Sequence, residues 1–317
     1  MRNTFILLAL IVLVVPASAQ FRERTLQVGD EVPINSFTDI ESKADAKTSE
    51  PTDFRALNKL GVETGLNEGN YQKAKSYFER AIEANPGCFT CRYNLGRSYV
   101  RLAKFTDAIE VFEELVEENP EFVDGIASIG EVYSLAERHE VSTRYYERAL
   151  EIDPNDAITL NNYANSLDRL GELDKALELF RKAIKLRPNM VEAHCSMGVT
   201  LYKLGKKSAA LKSLERAHKL DPEDAETLNN LGVVVDDMGK KKKAFRYYKE
   251  AVRLKPSFAS AIYNLGLMHI ERGERKEAQE QLMALEKLDD LLASELRKHL
   301  WSKWVLDANE VGRKDSD

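Results

Sequence analysis

The stretch that decides the fold covers residues 155–188 and reads NDAITLNNYANSLDRLGELDKALELFRKAIKLRP. Apolar residues follow a helical period in two runs of this stretch, and Gly171 separates the runs. In the second run Ala176, Phe180 and Ala183 lie at positions i, i+4 and i+7, which is one face of a helix. A proline ends the run because its ring disfavours helical geometry. The stretch therefore predicts two consecutive amphipathic helices.

The same pattern recurs along the chain with a 34-residue period, the step from Pro86 to Pro120. A small residue such as Ala74 and, four positions later, a bulky one such as Phe78 return at this step. One such unit cannot bury its own apolar face, so the period predicts a stacked array of units. Six prolines mark the unit ends: Pro86, Pro120, Pro154, Pro188, Pro222 and Pro256.

Composition excludes several classes of protein. The 317 residues are 43% hydrophobic and 31% charged, with 16 Gly, 9 Pro and 3 Cys, which is unlike collagen, a disulfide framework or a wholly disordered chain. The formal charge of −6 argues against a nucleic-acid partner, because such proteins need excess Lys and Arg to displace counterions.

The N-terminal segment has the composition of an export signal. Arg2 precedes an apolar run at residues 5–15, and the small residues at 17–19 form a cleavage site. We expect an exported protein, periplasmic or secreted after cleavage near Ala19, with residues 1–19 as signal peptide. An uncleaved N-terminal anchor is the alternative, although the apolar run is too short to span a bilayer stably. Residues 20–52 are polar and predict a linker or extended arm.

The repeated pattern resembles a known family. Tyr93, Asn94, Leu95 and Gly96, followed by residues 105–120 with their small, bulky and proline positions, are similar to the tetratricopeptide repeat. The resemblance implies an all-α fold, a right-handed α-solenoid of seven helix-turn-helix units in which the first helix of each unit lines a concave groove. The units of the array at 53–290 are expected near 55–88, 89–122, 123–156, 157–190, 191–224, 225–258 and 259–290.

The two ends of the array depart from the pattern. Gly61 and Gly65 stand where large residues are usual, which predicts a weak first helix. After the last unit, leucines and a tryptophan recur every four residues and predict a capping helix at 291–311, followed by a disordered tail at 312–317. The alternative for this aromatic helix is a docking surface for a partner or a second copy of the chain.

The resemblance implies a protein or peptide partner bound in the groove by a scaffold or adaptor. Charge along the lining is uneven, which favours an acidic ligand segment near the second unit and a basic or neutral one toward the C-terminal units. The alternative is that these charges only confer solubility. The candidate groove residues are Tyr93, Asn94, Arg97, Arg101, Asn162, Asn165, Asp168, Arg169, Tyr202, Asn230, Asp237, Tyr263 and Asn264.

One column of asparagines admits two interpretations. An amide side chain both donates to a carbonyl and accepts from an N–H, so a ladder of them would hold an extended peptide backbone. Alternatively, the same residues serve helix packing. The column consists of Asn94, Asn162, Asn230 and Asn264.

The cysteines and histidines give no sign of catalysis. Cys88 and Cys91 form a C-x-x-C pair that could close a local disulfide after export, whereas a thiol redox role would require a βαβ context that the pattern lacks. Cys195 is unpaired and is a candidate for intermolecular bonding. No histidine has ligand spacing with the pair, and no phosphate loop or nucleophile elbow is present. We therefore expect no enzyme activity, no metal and no cofactor, and keep the redox protein and self-assembly through the C-terminal helix as alternatives.

Overall fold

The computed structural model of the chain describes residues 52–314, with side chains through Lys303. The predicted signal at 1–19 and the predicted arm up to residue 51 lie outside this range. The described part is entirely helical and contains no strand, which confirms the all-α prediction. Its fifteen helices are α1 (Phe54–Asn67), α2 (Tyr71–Ala84), α3 (Phe89–Arg101), α4 (Phe105–Glu118), α5 (Val123–Leu135), α6 (His139–Ile152), α7 (Ala157–Arg169), α8 (Leu173–Leu186), α9 (Val191–Lys203), α10 (Lys207–Leu220), α11 (Ala225–Asp237), α12 (Lys241–Leu254), α13 (Ala259–Glu271), α14 (Arg275–Leu285) and α15 (Asp290–Lys314).

The helix boundaries follow the predicted period. We call α1, α3, α5, α7, α9, α11 and α13 the first helices and the even-numbered helices up to α14 the second helices. From α5 onward each first helix begins one full period of 34 residues after the preceding first helix, and from α4 onward so does each second helix. The predicted spacing of helix pairs is therefore the spacing observed.

The helices form two compact units, an N-terminal unit that ends at Leu170 and a C-terminal unit that begins at Gly171. In the N-terminal unit α1 packs on α2, α3 on α4 and α5 on α6, and each second helix also packs on the following first helix. In the C-terminal unit α9 packs on α10, α11 on α12 and α13 on α14, with the same contact to the next pair. Each unit is thus a solenoid-like stack of consecutive helix pairs.

Small residues in the first helices allow close contact with a bulky side chain of the second helix. A Cβ atom added to Gly96 would lie 2.5 Å from the ring of Phe112, and one added to Gly232 would lie 2.4 Å from the ring of Tyr248. Phe112 is completely buried, as is Leu115 one turn further on. The glycine column therefore admits the large side chains that fill the interior of these helix pairs.

The first helix forms in full, although its two glycines predicted a weak one. Asp53 caps α1 by accepting a hydrogen bond from the backbone N–H of Ala56 at 3.1 Å. At 14 residues α1 is one residue longer than the other first helices, so Gly61 precedes Phe78 by one more residue than Gly96 precedes Phe112. A Cβ at Gly61 would lie 2.5 Å from the Phe78 ring. Gly61 therefore takes the small-residue position of the repeat in α1, although a strict count in steps of 34 residues assigns that position to another residue.

The turn between the first and second helix of each pair passes through a left-handed residue. This residue has a φ between 55° and 83° and recurs once in every period. Glycine adopts this conformation without steric cost and is the usual residue at the end of a helix. Two of the seven positions carry a Cβ; the column is Gly69, Ala103, Glu137, Gly171, Gly205, Gly239 and Gly273.

Helix α15 covers the last pair of the C-terminal unit. Leu296 is completely buried and packs with Ile262 and Leu285. A Cβ atom added to Gly266 would lie 2.7 Å from a Cδ atom of Leu296. Leu296 thus occupies space against the glycine column that a second-helix residue fills elsewhere. The helix continues to Lys314, so residues 312–314 are helical where a disordered tail was predicted, because no proline interrupts the run.

Candidate functional site

The predicted groove residues divide sharply by exposure. Arg169 and Asp237 are exposed, and Arg97, Arg101 and Tyr202 are half-buried. The remaining eight are buried, so they contribute to packing between helices more than to an accessible surface. These eight are Tyr93, Asn94, Asn162, Asn165, Asp168, Asn230, Tyr263 and Asn264.

The two tyrosines among the buried residues lie in the cores of their units. Tyr93 is 1% exposed and packs against the rings of Phe112 and Phe122, with centroids 5.7 Å and 5.4 Å away. Tyr263 is equally buried and belongs to the cluster beneath α15. Neither ring offers surface to a ligand.

Three of the four asparagines in the column make hydrogen bonds to a neighbouring first helix. The amide nitrogen of Asn94 donates to Asn58 Oδ1 at 3.0 Å, and that of Asn264 donates to Asn229 Oδ1 at 3.0 Å. The amide nitrogen of Asn230 lies 3.5 Å from the sulfur of Cys195. These donors act within the fold, as the packing interpretation requires.

The amide of Asn165 differs from that column. Its side chain is buried, and neither Nδ2 nor Oδ1 has a hydrogen-bond partner among the residues that the structure describes. Asn162, by contrast, accepts from the neighbouring Asn161 amide at 3.4 Å.

In the N-terminal unit Arg97 forms an ion pair with a residue of the following repeat. Its guanidinium lies 2.6 Å from Glu131 Oε2, and the two side chains are 13% and 3% exposed. Burial opposes the charge of Arg97, but the attraction of Glu131 outweighs it, so the pKa of Arg97 is raised. Burial lowers the pKa of Arg101, whose guanidinium lies 5.4 Å from the centre of the Tyr71 ring. The ion pair of Arg97 with Glu131 therefore links α3 to α5.

In the C-terminal unit a hydrogen-bonded chain joins three helices. The Tyr202 hydroxyl donates to Asp237 Oδ2 at 3.0 Å, and the Lys207 ammonium lies 2.8 Å from the same carboxylate. Burial and the bond to Asp237 raise the pKa of Tyr202 to about 12, whereas the bond from Lys207 lowers the pKa of Asp237. The tyrosine therefore stays neutral and the aspartate ionised near neutral pH.

The ion pair at Asp237 recurs one repeat later. Lys241 lies 3.0 Å from Glu271, and the two residues stand one full period after Lys207 and Asp237. Lys241 also lies 3.0 Å from Asp236, whose pKa is raised by burial. The lysines were absent from the predicted site, although their periodic spacing is the signal that could have revealed them.

Accessible charges form a regular column at the ends of the first helices of the C-terminal unit. We call it the end column; its members are the last residues of α9, α11 and α13, which are one period apart and all exposed. Its charge is basic in α9 and acidic in α11 and α13. The end column consists of Lys203, Asp237 and Glu271. In the N-terminal unit the corresponding positions are Arg101, Leu135 and Arg169, so the charge is interrupted there.

The cysteines are buried. Cys88 and Cys91 are joined by a disulfide with a Cα–Cα distance of 5.3 Å, and Cys88 Sγ accepts from the backbone N–H of Cys91 at 3.2 Å, which caps α3. Both pack with Leu57 and Tyr77. Cys195, expected as a candidate for intermolecular bonding, has no exposed surface, and burial raises the pKa of its thiol to about 12.

Metal-ligand and membrane-span patterns are both absent from the described residues. Across residues 52–314 no group of three His, Cys, Asp or Glu side chains is placed to hold a metal ion. In the same range no helix combines the length and the apolar character that a bilayer crossing requires.

Two protein families match the chain. Residues 133–255 are similar to the middle TPR-like domain of cilia and flagella-associated protein 70, and residues 66–126 are similar to a tetratricopeptide repeat family. No curated protein shows significant sequence similarity to the chain.

Solved structures with the same architecture include the Cut9–Hcn1 hetero-tetramer of the APC/C, at a TM-score of 0.62 and 18% identity over 80% of this chain and 53% of the other. The structure of YrrB, a TPR protein with an unusual peptide-binding site, gives a TM-score of 0.45 and 26% identity over 60% of this chain and 100% of the other. A MamA structure gives a TM-score of 0.44 and 30% identity over 53% of this chain and 92% of the other. The chain thus carries TPR-type repeats in an all-helical fold of consecutive helix pairs.

Proposed function

We propose that this chain is a non-enzymatic scaffold that binds a protein or peptide segment along the end column, in an extracytoplasmic compartment. The observation that carries the proposal is the end column itself, a set of accessible charges repeated at fixed spacing on stacked helices. A regular repeat offers equivalent contacts to successive parts of an extended ligand.

The contacts in the C-terminal unit support a polar ligand. Asp237 and Glu271 are already held in place by Lys207 and Lys241, so their carboxylates are ordered before a partner arrives. Ordered polar groups lose less conformational entropy on binding. Main-chain N–H groups or lysine side chains of a ligand would replace or join these pairs at little cost, since exposed ion pairs are weak.

Site-specific crosslinking tests the location of the partner. A photoreactive residue at position 203 should crosslink a protein in the native compartment, and Asp237→Lys with Glu271→Lys should abolish the product by reversing the charges it meets. The matched control is Glu178→Lys with Glu280→Lys, which makes the same charge change at exposed positions on second helices. If both double variants give the same amount of crosslinked product, and circular dichroism shows unchanged helicity, the end column is not the binding site.

The extracytoplasmic setting is supported by the sequence of residues 1–19 alone. We expect the mature chain to begin at Gln20, since small residues at positions 17 and 19 suit signal cleavage. Mass spectrometry of the protein isolated from its host measures this directly. Ala19→Leu should leave the precursor uncut, whereas Gln20→Ser should not; an intact N-terminus in the unsubstituted protein would contradict cleavage.

A further inference from the structure

A second surface of the C-terminal unit has a different character from the end column. An open groove of about 930 Å³ lies between helices α10, α11, α12 and α13. Its floor includes the apolar side chains of Leu228, Val252 and Leu265. Its rim is formed by charged residues of α12, four basic ones together with Glu250. We call this feature the basic groove.

The charge of α12 contrasts with that of the whole chain. Residues 240–255 contain eight basic residues and one acidic residue, Glu250, whereas the chain has a net charge of −6. Lys243, Arg246, Lys249 and Arg253 line the groove. A local positive potential on an acidic protein favours an anionic partner at this position.

Two of the rim cations have no ion pair among the described residues. Lys243 lies 3.4 Å from Glu215, and Arg253 lies 2.6 Å from Glu250. Arg246 and Lys249 are exposed, are three residues apart on the same helix face, and form no such pair within residues 52–303. Their charges are therefore directed to solvent beside an apolar floor.

The combination of rim and floor identifies the kind of ligand. An acidic segment would pair with Arg246 and Lys249, and one aromatic or aliphatic side chain would bury its surface on Leu228 and Leu265. A flat lipid surface would contact the rim but would not reach a recessed floor. We propose that the basic groove binds an acidic peptide segment anchored by one large apolar side chain.

The experiment uses the full chain and a fluorescein-labelled peptide with one phenylalanine between two runs of three glutamates, followed by fluorescence anisotropy. We expect Arg246→Glu with Lys249→Glu to weaken binding by about tenfold or more. Replacing the peptide's phenylalanine by serine should weaken binding by about tenfold, because the floor loses its contact.

The matched control is Lys182→Glu with Lys185→Glu, an exposed basic pair with the same spacing on α8 and outside the groove. It should bind the peptide as the unsubstituted chain does. Equal loss in both double variants would overturn the proposal in favour of a general charge effect. The proposal is likewise overturned if serine replaces phenylalanine without effect, or if phosphatidylglycerol vesicles bind through Arg246 and Lys249 while the peptide does not.

Discussion

At position 137 the chain places a glutamate in a left-handed backbone conformation that glycine adopts at five of the seven positions of this column. Its φ is 57°, and that of Ala103, the other exception, is 55°. A residue with a Cβ is strained in this region by roughly 1–2 kcal/mol. Both side chains are exposed, so the strain is not offset by burial.

Glu137→Gly should raise the free energy of unfolding by about 1 kcal/mol, because glycine adopts the left-handed turn without strain. Urea denaturation followed by circular dichroism measures the change. Ala136→Gly is the control: its φ is −81°, so glycine gains nothing there and should lower stability by about 0.5–1 kcal/mol. Equal effects at 136 and 137 would show that the turn stores no strain.

The buried ion pair between Arg97 and Glu131 gives a second prediction at this scale. Arg97→Met leaves the Glu131 carboxylate, 3% exposed, without its cation, and should destabilise the chain by about 3–5 kcal/mol. The double variant Arg97→Met with Glu131→Leu removes both charges and should recover most of the loss. Thermal unfolding of the three proteins tests this; a double variant as unstable as the single one would contradict it.

At the scale of elements, α15 illustrates how a helical array ends. Leu296 is completely buried against α13, whereas Leu291, near the start of the same helix, is 81% exposed. We expect Leu296→Ala to lower the free energy of unfolding by about 2–5 kcal/mol and Leu291→Ala to change it by less than about 0.5 kcal/mol. Similar losses from both substitutions would mean that α15 does not act as a cap.

The disulfide is a second element-scale feature, since it lies at the start of α3 within a buried cluster. Its short loop limits the entropic stabilisation to about 2 kcal/mol. Reduction of the disulfide should therefore lower the urea concentration at the unfolding midpoint modestly, and the chain should stay folded in the absence of urea. Cys88→Ser with Cys91→Ser should lower it similarly and lose its sensitivity to reductant; a midpoint unaffected by reduction would contradict a stabilising bond.

At the scale of the whole molecule, the main contacts between helices of each unit lie within one repeat or between adjacent repeats, so a perturbation should remain local. Hydrogen exchange measured by mass spectrometry should rise in α13 to α15 of the Leu296→Ala variant and stay unchanged in α3 to α5. The matched control Leu291→Ala should alter neither region. A general rise in exchange would contradict the independence of distant repeats.

The regular 34-residue period predicted the fold because repeats of equal length begin and end their helices at equivalent positions, as α3 and α13 show. It did not predict which side of a first helix is accessible. Tyr93 and Asn94 fit the family's groove pattern but are buried, because exposure depends on how closely adjacent repeats approach. Strict counting also missed Gly61, since one additional residue in α1 shifts the register.

The ion pairs of Lys207 with Asp237 and Lys241 with Glu271 have a mechanical consequence. Each ion pair joins a second helix to the first helix of the following repeat, so it links two adjacent repeats of the stack. Exposed pairs weaken as salt shortens the range of electrostatic attraction. The repeats of the C-terminal unit should therefore become more flexible relative to one another as ionic strength rises, so the proposed end-column site should be less ordered in concentrated salt than in dilute buffer.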